Sequence, residues 1–178
     1  MLEKDIKKVL ISEEQIIARA KELGAEITED YKDGSPLMVA LLRGSVPFLA
    51  ELIKHIDLDI QYDFMDVTSY EGTESIGDIK ILKDLDTSVR GLDILVVEDI
   101  VDTGRTLSAV VKTLYNKGAN SVKIVTLLDK PSRRVKDIKA DYIGFEVENE
   151  FVVGYGMDFN QKYRCLPYIG VLKDELYQ

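Results

Sequence analysis

One histidine, one cysteine, no tryptophan and no long apolar run occur in the 178 residues, and each shortage removes a class of function. A lone Cys165 cannot close an intramolecular disulfide, and it reads as incidental beside Arg164. The single His55 leaves no histidine cluster for zinc and no Ser/His or Cys/His nucleophile pair. No segment reaches membrane length and the first residues do not read as a signal peptide, so the expected location is the cytoplasm. Positive charge is also short. Against 32 Asp and Glu stand 23 Lys and Arg, a net charge of −9, so the general attraction to nucleic acid or an anionic membrane is missing and any anion must be held locally. Neither G-x-x-x-x-G-K-[ST] nor a G-x-G-x-x-G after a strand is present, which excludes the usual P-loop and dinucleotide readings. Chemistry must therefore rest on carboxylates, Lys, Arg and a hard cation. With 46% hydrophobic residues the chain suits one well-buried domain spanning residues 1–178.

The most informative stretch is VVEDIVDTGRTL, residues 96–107. The preceding DILVV, residues 93–97, has the continuous branched-apolar character of a strand buried on both faces, and residues 107–115 repeat apolar positions at helical spacing before Gly118. Ligands gather at the carboxyl ends of strands in an open α/β sheet, and the backbone N–H groups of Thr103, Gly104, Arg105 and Thr106 at a starting helix favour a phosphate. Glu98 and Asp99 are adjacent hard oxygen ligands suited to Mg²⁺, and Asp102 stands where it can act as a base. Singly, Asp102 would read as a helix N-cap and the other two as the end of a strand. Two carboxylates after a buried run, then Asp-Thr-Gly and another Thr, point to a phosphate-and-metal site.

Elsewhere Ser12 and Gln15 predict a capping box for a first helix stopped at Gly24. Residues 37–42 predict a strand, Arg43-Gly44-Ser45 a turn, and Pro47 the start of a helix through Ile53. Residues 60–67, 79–82, 121–128, 142–147 and 151–153 predict further strands. Residues 69–78, SYEGTESIGD, read as a long loop rich in glycine and hydroxyls. The order predicts an α/β fold: a mainly parallel central sheet flanked by helices, with a core at about residues 35–150 and a small cap from the N-terminal segment and residues 151–178.

From about residue 8 to 172 the chain resembles the bacterial hypoxanthine-guanine phosphoribosyltransferases of the type I phosphoribosyltransferase fold. The resemblance rests on ALLRGSVPF (40–48), DFMDVTSYEGT (63–73), KILKDLD (80–86), VVEDIVDTGRTL (96–107), LLDKPSRR (127–134) and FVVGYGMDFNQKYR (151–164). It implies Mg²⁺-dependent transfer of the phosphoribosyl group of phosphoribosyl pyrophosphate to hypoxanthine or guanine, giving IMP or GMP and pyrophosphate in purine salvage. It further implies a homo-oligomer, dimer or tetramer. By matching motif, Glu98 and Asp99 meet the ribose hydroxyls and Mg²⁺, Asp102 is the base near purine N7, and Thr103, Gly104, Arg105, Thr106 and Leu107 form the 5′-phosphate loop. Arg105 fills a variable slot there and contributes only its backbone N–H. Arg43, Gly44 and Arg164 match pyrophosphate contacts, and the peptide before Arg43 is a non-proline cis bond in that family. Many members have Lys at the place of Arg43, which keeps the charge and changes its geometry. Lys130 matches the donor to the purine 6-oxo group, Phe151 the ring that stacks on the base, and Val152 a backbone contact. Asp158 matches an acid near the purine 2-position and a second Mg²⁺. Ser69 and Tyr70 match a lid at residues 69–78.

The implied chemistry agrees with the residue types. Breaking the bond between ribose C1 and pyrophosphate develops positive charge on the sugar and negative charge on the leaving group, which carboxylates and cations stabilise without a covalent nucleophile. Lys has donors and no acceptor, so Lys130 disfavours a 6-amino purine. A nucleotide-sensing, RNA-binding regulator of the same fold carries a similar loop. Asp102 and the acidic excess argue against that reading, since an RNA surface must be basic.

Overall fold

A computed structural model describes residues 2–69 and 79–177. The expected lid lies outside these residues apart from the backbone of Ser69, so Tyr70 is not described. In chain order the elements are β1 (Ile6–Ile11), α1 (Glu13–Asp30), β2 (Leu37–Leu42), α2 (Val46–Leu52), β3 (Gln61–Ser69), β4 (Ile79–Lys83) and β5 (Asp93–Val101). They continue with α3 (Arg105–Asn116), β6 (Ser121–Asp129), β7 (Tyr142–Glu146), β8 (Val152–Val153) and β9 (Ile169–Leu172).

Six strands form the main sheet in the order β4-β3-β2-β5-β6-β7, all parallel except β4 at one edge. Strand alternation explains why the middle of this sheet is apolar on both sides. In β5, Leu95 and Val97 pack with Ile16, Leu23 and Phe48 of α1 and α2, while Ile94 and Val96 pack with Leu107, Val110 and Leu114 of α3. All of these side chains are buried. The sheet is thus covered by helices on both faces, as the β/α alternation predicts, and the carboxyl ends of β2, β5 and β6 share one rim. The chain ends make a second, antiparallel sheet, β1-β9-β8, in agreement with the expected cap. Among the described residues no helix is long and apolar enough to cross a membrane.

Two sequence-based boundaries shift, and two strands are added. The Ser12 capping box forms, but α1 runs past Gly24 to Asp30. Gly24 is buried mid-helix, where a Cβ would overlap the backbone carbonyl of His55, so it serves a close approach between two segments. β5 runs four residues beyond the predicted end, because the β5–β6 ladder pairs Glu98 with Thr126, Ile100 with Leu128 and Val101 with Asp129. The two carboxylates therefore sit within the ladder, and only Asp102 stands clear of it. Finally, β1 and β9 are strands that the apolar pattern does not single out.

Candidate active site

Adjacent parallel strands set the site's register. Because Val101 pairs with Asp129, the next residues along each strand, Asp102 and Lys130, emerge side by side, and the Lys130 N–H donates to Val101 O at 2.9 Å. Asp102 opens the turn into α3, whose N-cap is Gly104 with φ of 77°. Only glycine takes that conformation without strain, and a Cβ there would also press on Ile138 Cγ2 at 2.6 Å. The segment after β6 folds beneath the turn. Val135 N–H donates to Thr103 O at 3.0 Å, and Arg134 Nε donates to Asp102 O at 3.0 Å while its Nη2 pairs with Asp129.

Two clefts meet here. A cavity of about 240 Å³ is lined by Leu42, Glu98, Asp102 and the whole turn Thr103 to Leu107. A second, of about 550 Å³, is lined by Asp99, Asp102, Lys130, Phe151, Val152 and Asp158 among others. Asp102 belongs to both walls. The first is rich in the N–H groups and hydroxyls that suit a phosphate, and the second pairs an aromatic ring with Lys130, as a flat heterocycle requires.

Electrostatics separates the acids. Burial, and then the charge of Asp99 beside it, pushes the Glu98 carboxyl well above its usual range. Burial raises Asp99 as well, against the opposing pull of hydrogen bonds and Arg164. Both carboxylates keep an edge toward the cleft, being only partly enclosed by surface. Two desolvated acids side by side leave a surplus of negative charge that a divalent cation relieves. Among the described residues no group of three His, Cys, Asp or Glu side chains converges. Asp158, expected to join the metal, is instead 2.8 Å from Arg164 Nη2 and accepts the Gln161 N–H at 2.7 Å.

Lys130 is 6% exposed and its Nζ donates to Glu150 O at 2.6 Å. Burial lowers its pKa, with the Asp102 charge opposing that shift. Arg43 is exposed after a cis Leu42–Arg43 peptide, and Gly44 is buried beneath Asp99, whose Oδ2 would overlap any Cβ added there. Arg164 donates to Gly156 O at 2.7 Å. Arg43, Gly44 and Arg164 are not among the residues that line the two clefts, but Gly44 packs against Asp99 and Arg164 pairs with Asp158, so two of the three sequence-predicted pyrophosphate contacts adjoin the cleft residues.

The family model for the phosphoribosyl transferase domain matches residues 10–160. The chain belongs to the phosphoribosyltransferase family. This phosphoribosyltransferase is 59% identical over 179 aligned residues to the hypoxanthine-guanine phosphoribosyltransferase of Bacillus subtilis strain 168, covering 100% of this chain and 99% of that one. It is 57% identical to the protein of the same name from Streptococcus thermophilus strain CNRZ 1066, over 99% of each chain. A crystal structure of a hypoxanthine phosphoribosyltransferase from Staphylococcus aureus superimposes with a TM-score of 0.94 at 51% identity, covering 99% of this chain and 97% of that one.

Three residues of the phosphoribosyltransferase site escape sequence reasoning. Arg133 Nε stands 2.7 Å from Asp102 Oδ1, an ion pair whose N–H is not aimed at the oxygen; among the described residues that buried Oδ1 receives no hydrogen bond. Arg134 carries three backbone carbonyls and Asp129 on one guanidinium. Tyr177 lines the larger cleft. The doubled arginine of LLDKPSRR was the only visible signal, and it does not say which arginine turns inward.

Proposed function

We propose that the protein transfers the 5-phosphoribosyl group from phosphoribosyl pyrophosphate to hypoxanthine or guanine, forming IMP or GMP and pyrophosphate. The observation that supports this best is Asp102 on the wall common to a phosphate-suited cleft and an aromatic one. A reaction that joins an activated sugar phosphate to a purine needs a proton acceptor at that junction. The relatives named above extend over essentially the whole chain, and their names carry the same activity.

In this reading the N–H groups and hydroxyls of residues 103–107 bind the 5′-phosphate at the start of α3. Phe151 stacks on the base, Val152 meets its edge through the backbone, and Lys130 donates to the 6-oxo group. Asp102 takes the N7 proton as the base becomes the nucleophile. Glu98 and Asp99 face the ribose hydroxyls and would hold Mg²⁺, whose charge when bound favours departure of pyrophosphate. Asp158 would meet the purine near its 2-position and help to hold a second Mg²⁺, and Arg43, Gly44 and Arg164 would receive pyrophosphate. The chain works as a single domain in a homo-oligomer in the cytoplasm.

The deciding experiment supplies phosphoribosyl pyrophosphate, Mg²⁺ and, in turn, hypoxanthine, guanine, xanthine and adenine, and identifies the nucleotide formed. IMP and GMP are expected, with AMP lower by about 10³-fold or more because Lys130 offers no acceptor to a 6-amino group. Efficient AMP formation sinks the Lys130 assignment, and no nucleotide from any base sinks the function.

A further inference from the structure

Phe151, the ring assigned to base stacking, has a tyrosine stacked against it. Tyr177 lies nearly parallel to Phe151, with ring centroids 4.6 Å apart and planes 21° from each other, and Phe159 meets Phe151 edge-on at 5.4 Å and 86°. Rings 4.6 Å apart leave no room for a base between them, so Tyr177 and a purine cannot be the two slices of one sandwich around an inserted ligand. Both Phe151 and Tyr177 line the larger cleft with Lys130 and Asp102.

The local chain makes this arrangement a built one. β9 holds the backbone of Phe151, since Leu172 N–H donates to Phe151 O at 2.9 Å. A single 3-10 turn, Asp174–Leu176, then returns the chain so that Tyr177 covers the ring whose backbone β9 has just fixed. Asp174 ties that turn down twice: it accepts the Tyr177 hydroxyl at 2.9 Å and pairs with Lys7 of β1 at 3.1 Å. Phe151 and Phe159 also belong to the apolar cluster of the cap, around Val153, Tyr163, Leu166 and Leu172, which Tyr177 joins.

We propose that Tyr177 is a positioning residue for the purine: stacked on Phe151, it fixes the plane of that ring and so sets the affinity for the base, independently of the phosphoribosyl site. The inference rests on the proposed function, because it takes Phe151 as the surface that receives the base. A ring clamped by a parallel neighbour and an edge-on one presents a preorganised platform, whereas a ring that must be ordered on each encounter weakens binding. Among the described residues no hydrogen bond or ion pair joins the turn that carries Tyr177 to the phosphate turn or to Glu98 and Asp99, and the effect is therefore expected on the base.

Initial rates test this with Tyr177→Ala and Tyr177→Phe, varying hypoxanthine at saturating phosphoribosyl pyrophosphate and then the reverse, with GMP binding by calorimetry on each protein. Tyr177→Ala is expected to raise the KM for hypoxanthine and weaken GMP about three- to tenfold while the KM for phosphoribosyl pyrophosphate is unchanged. Tyr177→Phe keeps the stack and loses only the bond to Asp174, so it should restore the wild-type base KM. An unchanged base KM in Tyr177→Ala overturns the proposal, as does a parallel rise in both KM values, which is general loosening. A lower base KM also overturns it, for then Tyr177 obstructs the site. Absence of nucleotide formation by the wild type would be a failure of the proposed function and is seen before any variant is made.

Discussion

The two ends of the main sheet carry the same kind of residue and treat it in opposite ways. At the amino end, Asp63 of β3 accepts N–H bonds from Phe64, Asp86 and Thr87 at 2.7, 2.8 and 2.9 Å, and Asp93 of β5 accepts from Ser121 and Asn120 at 2.6 and 2.7 Å. For Asp63 burial works to raise the pKa, but the three N–H groups and Lys83 outweigh it and the net shift is downward. The bonds from Ser121 and Asn120 likewise lower Asp93. Toward the carboxyl end of β5, five and six residues after Asp93, Glu98 and Asp99 are raised by burial and, for Glu98, by the charge of Asp99. An acid given donors is a structural fastening. Glu98 and Asp99 each accept the N–H of the residue that follows, at 3.1 and 2.7 Å, but burial outweighs those bonds, so the pair is a charge in search of a cation and the fold bears the expense of keeping it there.

The contrast yields tests in descending order of effect. Replacing both rim acids, Glu98→Gln with Asp99→Asn, should lower turnover by about 10³-fold or more and remove most Mg²⁺-dependent binding of phosphoribosyl pyrophosphate, read by initial rates and calorimetry. Equal affinity with and without the two carboxylates would make the rim acids ordinary strand-end residues. Asp102→Asn should lower turnover by about 10²-fold while leaving phosphoribosyl pyrophosphate affinity nearly intact; a wild-type rate removes it as the base.

At the other end, Asp63→Asn should destabilise by about 1–3 kcal/mol in denaturant titrations, with turnover kept within about twofold. The depressed folded pKa of Asp63 fixes the pH signature. Its contribution is present above the ordinary carboxyl range and fades as pH falls through the folded value, so wild type and variant should converge in acid. Loss of activity without loss of stability would erase the distinction between the two ends. The smallest effect is the reverse one: Glu98→Gln alone should raise the thermal midpoint by about 2–4 °C near pH 8. Since burial raises the folded pKa of Glu98, ionising it destabilises the wild type progressively as pH rises from the ordinary carboxyl range through the folded value. The gain should therefore shrink toward acid, and a constant gain at all pH values would point to packing instead.

What could be read from the sequence was what is contiguous in it. The phosphate turn, its glycine and the carboxylates before it lie within one twelve-residue stretch, 96–107, and a strand followed by a turn and a helix is a local pattern. The family resemblance then supplied the distant partners Lys130, Phe151 and Asp158. Elements that depend on pairing stayed hidden. β1 reads IKKVLI, with charges where an alternating pattern would be apolar, and becomes a strand because β9 lies against it. Gly24 looked like a helix stop, for nothing in its neighbourhood announces that His55 will lie on it. Arg134 reaches Asp102 O, and Tyr177 reaches Phe151, across gaps in the chain that no periodicity spans.

The contact between Gly44 and Gly156 has a consequence for how this protein can drift. A Cβ at Gly156 would overlap the carbonyl oxygen of Gly44, which is main chain and cannot swing aside, and a Cβ at Gly44 would displace the carboxylate of Asp99. Every single-residue change at either position adds at least one carbon, so neither has a tolerated neighbour in sequence space, and changing both at once compounds the clash. The loop after β2 and the loop after β8 are thereby pinned to one another at a point that selection can only leave alone. The spacing between cap and sheet should stay fixed among descendants of this chain while exposed side chains elsewhere change.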